Sequence, residues 1–203
     1  MHSWIIPRSG STPLPRAGLF TSFGEEGIEE MAVIAYRGVE YEEALHVIAR
    51  QRYVREERRI FMGGIRAKAV FGKGVYLVSN PRVAAEYAFC HAEAAWDKGA
   101  ILQQTLHTEG MIFLDPSYGE NELRDEALQW RYTESELLRL SSIMEWAQWQ
   151  EWTGERIREF LQDRGYQGIV YPISDQLTYY VSYQPESQIE SISLYGYSMN
   201  ALT

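Results

Sequence analysis

The chain has 203 residues, 45% of them apolar, a net charge of −9 and one cysteine, Cys90. That length and composition suit one globular core that needs no covalent staples. The lone cysteine excludes an internal disulfide framework and fits a reducing compartment; it sits mid-helix among alanines and aromatics, the setting of an inert buried thiol. No apolar run approaches the length of a membrane span. The N-terminal Met1-His-Ser-Trp-Ile-Ile-Pro7 lacks the basic start and long apolar core of a signal peptide. The expectation is a soluble cytoplasmic protein with no membrane partner, although export by a signal-independent route would leave no trace.

Residues 1–30, rich in Ser, Pro and Gly, read as an irregular arm, and 31–203 as a single domain. Met31-Ala-Val-Ile-Ala-Tyr-Arg37 is a β-like run that stops at Gly38. A helix follows from about Tyr41 to Tyr53, with Ala44, Leu45, Val47 and Ile48 on its inner side. Then comes Phe71-Gly-Lys-Gly-Val-Tyr-Leu-Val-Ser-Asn-Pro-Arg-Val-Ala-Ala-Glu-Tyr87, a glycine-bracketed turn feeding a short strand, Val75 to Val78, and a helix. Asn80 is a good N-cap and Pro81 suits the first helical position. Val83, Ala84, Tyr87, Ala88 and His91 recur at helical spacing, which turns Tyr87 back toward the strand. Tyr76 and Tyr87 then form two walls of one cleft, with Gly72 and Gly74 leaving backbone room for a ligand.

Strands are expected near Ala100–His107 and Met111–Leu114, and an acidic, Trp-rich helical region from about Asn121 to Arg164. Trp146, Trp149 and Trp152 share one helical face. Core or interface packing is the usual cause, with a base-stacking platform or a face covered by a neutralising partner as alternatives. Gly168–Ile173, Thr178–Tyr183 and Ile189–Tyr195 close the chain as strands. Short strands interleaved with helices, without regular βαβ alternation, give an α+β fold with a split antiparallel or mixed sheet.

The glycine-rich stretch resembles the second motif of the ADP-ribosyltransferases, especially the diphtheria-toxin and poly(ADP-ribose) polymerase branch. There a Gly-Lys-Gly-φ-Tyr strand leads to a helix whose tyrosine lies eleven residues on, as Tyr87 does from Tyr76. The family's two tyrosines sandwich the nicotinamide ring of NAD, a use of offset stacking. The family serine three residues before the second tyrosine is Ala84 here. Ala35-Tyr-Arg-Gly-Val39 resembles the first motif of the arginine-type branch, whose Arg holds the adenosine ribose or the pyrophosphate. Arg37 has the planar fork for phosphate oxygens, and a surface ion pair is the plainer reading of the same residue. Arg164-Gly-Tyr-Gln-Gly-Ile-Val-Tyr171 and Tyr179-Tyr-Val-Ser-Tyr-Gln-Pro-Glu-Ser-Gln-Ile189 look like the closing segments of many bacterial and phage-encoded members.

The resemblance covers residues 31 to 195 and implies an ADP-ribosyltransferase-like fold, NAD as co-substrate, and no metal. Gly38, Gly74, Tyr76 and Tyr87 would bind NAD together with Arg37. The family's third-motif acid falls on Thr178 and Tyr179, which carry no carboxylate. Asp175 is the nearest acid and the candidate catalytic group, with Glu186 second; the plainer reading of Asp175 is a turn former in Ser174-Asp-Gln. A carboxylate bonded to the ribose 2′-hydroxyl would stabilise the oxocarbenium-like transition state as nicotinamide leaves. The implied activity is transfer of ADP-ribose to a macromolecular acceptor, protein or nucleic acid, by a bacterial or phage effector. Such an effector would be the toxin of a toxin–antitoxin or defence system, with an antitoxin or immunity protein as partner. An NAD glycohydrolase and a catalytically silent NAD-binding or interaction module remain open.

Charge adds one feature. Arg52, Arg55, Arg58, Arg59, Arg66, Lys68 and Lys73 stand against Glu56 and Glu57, a local +5 that leaves −14 elsewhere. This stretch either borders the ligand cleft and attracts a polyanion or forms a solvated helix end.

Overall fold

The computed structural model describes residues 32–53, 70–95 and 98–198, with no side chains described over 89–95 or at 198. The expected arm, five of the seven basic residues (Arg55, Arg58, Arg59, Arg66 and Lys68) and the Cys90 thiol lie outside what is described.

Seven strands and six helices follow one another in mixed order: β1 (Ala32–Glu40), α1 (Tyr41–Arg50), β2 (Val75–Val78), α2 (Pro81–Ala95), β3 (Gly99–His107), β4 (Met111–Phe113), α3 (Glu120–Gln129), α4 (Glu134–Ile143), α5 (Trp146–Asp163), β5 (Gly168–Ser174), β6 (Leu177–Ser182), α6 (Pro185–Gln188) and β7 (Ile189–Ser198). The strands form one sheet in the order β4-β5-β6-β2-β1-β3-β7. Every pairing is antiparallel except β4 with β5, so the α+β class and the mixed sheet hold. β1 lies beside β3 over its whole length, from Ala32↔His107 to Glu40↔Gly99, but meets β2 only at Tyr36↔Val78. The sheet is thus pinched between a β1-β3-β7 half and a β2-β6-β5-β4 half.

Local chemistry sets the element ends. β1 runs two residues past Gly38, because Gly38 stays in the ladder opposite Ile101. α1 stops at Arg50, with Gln51 left-handed at φ 52° and tied by its side chain to Ile48 O and to Ile192. Asn80 caps α2 as expected, its Oδ1 accepting from Arg82 N–H at 2.9 Å. The long acidic helical region is three helices: Thr133 and Glu136 form a capping box that starts α4, and an extended Met144 breaks it from α5.

Strand alternation divides the core between the two sides of the sheet. On the α1 side, Ala35, Val39, Val75, Leu77, Leu102, Val170 and Tyr180 join Ala44 and Val47 of α1 in one continuous cluster. On the other side the apolar material forms two clusters. One, with Ile169 and Val181, lies under α3 and α5; the other, with Val78 and Ile101, lies under Ala84 and Ala88 of α2. The seam between these two clusters runs along the pinch.

Candidate functional site

The seam is lined by tyrosines from segments far apart in the chain. Tyr171 of β5 pairs with Tyr179 of β6, Tyr179 with Val78 of β2, and Val78 with Tyr36 of β1, which places this row on one face at one level of the sheet. Tyr195 of β7 meets the Tyr36 ring edge-on, 5.0 Å between centroids. From above, Tyr87 of α2 brings its hydroxyl within 3.4 Å of the Tyr179 hydroxyl.

α2 reaches this position because Gly38 lets it. A Cβ on Gly38 would overlap the Ala84 carbonyl oxygen and the Ala88 nitrogen, and one on Gly99 the Ala88 carbonyl. Only glycine allows helix backbone to lie so close on β1 and β3. Ala84 and Ala88 are fully buried by this crossing. Tyr87 is therefore not turned fully back toward the strand as its spacing suggests: it stands at the rim, 43% exposed. Ala84, where the family carries a serine, faces Gly38 and offers no hydroxyl.

Tyr76 lies on the same face of β2 as Val78, half-buried against the α3–α5 cluster. Its hydroxyl donates to Gly72 O at 2.6 Å and accepts from Phe71 N–H at 3.2 Å, so it holds the glycine-rich turn. That turn rests on α5: Gly72 has φ +79°, a Cβ there would lie 2.6 Å from Gly154 O, and Lys73 N–H donates to Glu155 at 3.0 Å. Tyr183 closes the turn from below by donating to Phe71 O at 2.7 Å. Burial pushes its hydroxyl well above the ordinary tyrosine range, with Tyr76 adding to the shift and Arg158 opposing it. Gly74 opens β2; a Cβ there would press on Ser182 O and Val181, so its bareness serves the β2–β6 pairing.

Two expected site residues stand elsewhere. Arg37 follows Tyr36 by one residue and so points to the α1 side, where it is 3% exposed. There its guanidinium lies 4.5 Å from the Tyr53 ring centroid and 3.8 Å from Glu43, and Tyr53 OH donates to Gln104 at 2.6 Å. This buried network lies across the sheet from Tyr76 and Tyr87 rather than beside them, and Arg37 is not at the surface either. Asp175 and Gln176 form the exposed tip of the β5–β6 hairpin, beyond the Ser174↔Leu177 pair. At strand rise that tip is on the order of 10 Å from the Tyr171–Tyr179 pair. Tyr179 itself occupies the seam at the place of the expected acid. Glu186 lies at the surface with Arg52, 3.8 Å apart.

An open pocket of about 410 Å³ adjoins the row at Tyr171, between Pro172 and Ile173 and the start of α3. Its rim carries Asp115, whose carboxyl is held below the ordinary range by the Ser117 hydroxyl and then by the Ser117 and Tyr118 amides. Among the described residues no group of three or more His, Cys, Asp or Glu is arranged to hold a metal, and no helix is long and apolar enough to cross a membrane.

Tyr195 lies in no motif, and Tyr36 and Tyr171 lie within the Tyr-Arg-Gly and Gly-Ile-Val-Tyr segments with no role assigned to them there. Tyr36 has one usable signal, its two-residue spacing from Gly38, which puts both on one face of an extended strand. Neither a protein-family model, nor a curated protein, nor a solved structure matches the chain.

Proposed function

We propose that the chain binds NAD along the tyrosine-lined seam and donates its ADP-ribose to a macromolecular acceptor. The observation that carries this reading is convergence. The Tyr-Arg-Gly strand end, the Gly-Lys-Gly-Val-Tyr strand with its helix, and the closing Tyr-Tyr-Val-Ser-Tyr strand are far apart in sequence, yet contribute Tyr36, Gly38, Tyr76, Tyr87 and Tyr179 to one side of one pinch. A flat, electron-poor pyridinium ring suits such a row, which offers π-faces and hydroxyls but no fixed charge. Acceptor attack at the anomeric carbon forms the new glycosidic bond as neutral nicotinamide departs, and the acceptor's proton passes to solvent or a nearby carboxylate. Holding donor and acceptor together supplies much of the rate.

One observation favours a second reading. Asp175 sits on an exposed hairpin tip and a tyrosine occupies the place of the family's acid, which suits a catalytically silent NAD-binding or interaction module.

Calorimetry with NAD tests the shared premise. Tyr87→Ala should weaken binding at least about tenfold, the scale of a lost stacking partner. Tyr87 is better for this than Tyr76, because Tyr76 also holds the turn that starts β2. Absence of binding by the parent protein ends the transfer reading and leaves only an interaction module that does not use NAD. Labelled NAD with cell lysate then separates them: label on protein or nucleic acid supports transfer, and free ADP-ribose points to hydrolysis. Binding with no turnover supports the silent module. If turnover occurs, Asp175→Ala should reduce it by about a hundredfold should Asp175 be the charge-stabilising group.

A further inference from the structure

Gln103 and Gln104 are neighbours on β3 that face opposite ways, and only one of them is committed. Gln104 is buried on the α1 side, where it accepts from the Tyr53 hydroxyl and donates to Ala35 O. Gln103 faces the α2 side, two residues on from Ile101 of the cluster under α2. Its amide has no hydrogen-bond partner among the described residues. Strand register sets Gln103 between Tyr36 of β1 and Ser193 of β7, with Thr105 next to it opposite Ile34. The Tyr36 and Tyr195 rings meet across β3, 5.0 Å between centroids, and Gln103 is half-buried at their foot. α2 lands farther along, on Gly38 and Gly99. The floor is therefore open at this level: Ile34 is 47% and Tyr195 52% exposed, and a Cβ on Gly196 would meet nothing within 4 Å.

The chemistry of this floor selects a neutral, flat ring. No lysine or arginine stands among these residues, and the charge at the far end is a carboxylate, Glu190, 3.0 Å from His107 Nε2. A phosphate would find no cation here. Two tyrosine rings offer stacking surface, and a free amide gives one hydrogen bond while taking another. Adenine presents the matching pair, a donor at N6 beside an acceptor at N7, and glutamine meets both at once. Hypoxanthine carries a carbonyl at position 6, which would set oxygen against the amide oxygen. Reach fits as well. Tyr179, Val78, Tyr36 and Gln103 stand on four consecutive strands, so Gln103 lies three strand spacings from Tyr179, about 14 Å. The ribose–pyrophosphate–ribose linker of NAD bridges a gap of that order.

We propose that Gln103 reads the adenine ring of NAD, with Tyr195 as the surface on which that ring stacks, while the nicotinamide end lies at Tyr87 and Tyr179. This rests on NAD as the ligand of the seam. It makes Gln103 the residue that sets base specificity.

Calorimetry on the full chain with NAD, nicotinamide hypoxanthine dinucleotide and nicotinamide mononucleotide tests this. The parent should bind NAD at least about tenfold more tightly than the hypoxanthine analogue, the scale of one bidentate base contact. Gln103→Leu should erase that preference by weakening NAD alone. Its affinity for the mononucleotide, which has no adenine, should match the parent's. Gln103→Glu keeps the side chain's shape but loses the amide donor, so it should lower NAD affinity too, and it serves if the leucine variant does not fold. Equal affinity of the parent for the two dinucleotides would overturn the assignment and leave NAD in the seam. A preference that survives both substitutions, or NAD binding no tighter than the mononucleotide, would overturn it equally. If none of the three probes binds, NAD itself falls as the ligand, and the assignment with it.

Discussion

β1 sends alternate residues into two environments that differ in how their polar groups are used. On the α1 side, Arg37, Tyr53 and Gln104 are closed over in one network: ring under guanidinium, phenol to amide, and amide to Ala35 O at 2.9 Å. On the α2 side, Tyr36, Tyr87, Tyr179 and Tyr195 end at a rim that solvent or a ligand can reach. A cation closed over by its own side of the sheet is screened from a ligand on the opposite side. Adjacent residues on one strand thus fall into separate roles, Arg37 holding the sheet and Tyr36 facing the seam.

Substitutions sharpen this contrast, and the largest effect is expected at Arg37. Arg37→Ala removes a buried cation from Glu43 and Tyr53 and should cost about 3 kcal/mol or more in urea unfolding. NAD affinity of the folded fraction should change little. Selective loss of NAD affinity with stability intact would instead put Arg37 at the ligand and break the two-sided division. Gly38→Ala comes next: the methyl must push α2 off β1, a cost of about 3 kcal/mol or somewhat less by overpacking. It should also loosen the Tyr87–Tyr179 approach, read as a change in NAD affinity.

At the rim, effects on folding shrink. Tyr87→Phe and Tyr179→Phe remove only hydroxyls 3.4 Å apart near solvent, and each should move stability by less than about 0.5 kcal/mol. A large loss in either would show the seam to be as closed as the opposite side. The smallest expected effect lies at α4. The Thr133 amide and then its hydroxyl hold the Glu136 carboxyl below its ordinary 4.5. A depressed value in the folded state adds stability above the unfolded value and loses it as pH falls through the folded one. Acidification below about pH 4.5 should therefore loosen the start of α4, seen as lost helical circular dichroism that Glu136→Gln largely removes.

Much of the element map is legible locally. Val75–Val78 and the start of α2 at Pro81 follow from glycine, asparagine and proline chemistry that acts within a few residues. The α4–α5 break has a weaker local signal. Met144 is as helix-compatible as its neighbours, and α5 starts anew at the Glu145–Gln148 capping box rather than after any breaker. The short α6, Pro185–Gln188, is too brief for periodicity to register.

Pairing and facing belong to the tertiary structure. The amino-acid order by itself determined which short runs extend, which coil into helices, and that Tyr76 and Tyr87 are separated by one strand–turn–helix unit. It could not say that β1 would meet β2 at a single pair, since strand pairing joins segments dozens of residues apart. Nor could it choose which side of β1 would carry Arg37. Alternation makes Arg37 and Gly38 face opposite ways, but only the landing of α2 on bare Gly38 backbone decided that the arginine would be buried with α1 and the tyrosines left at the seam.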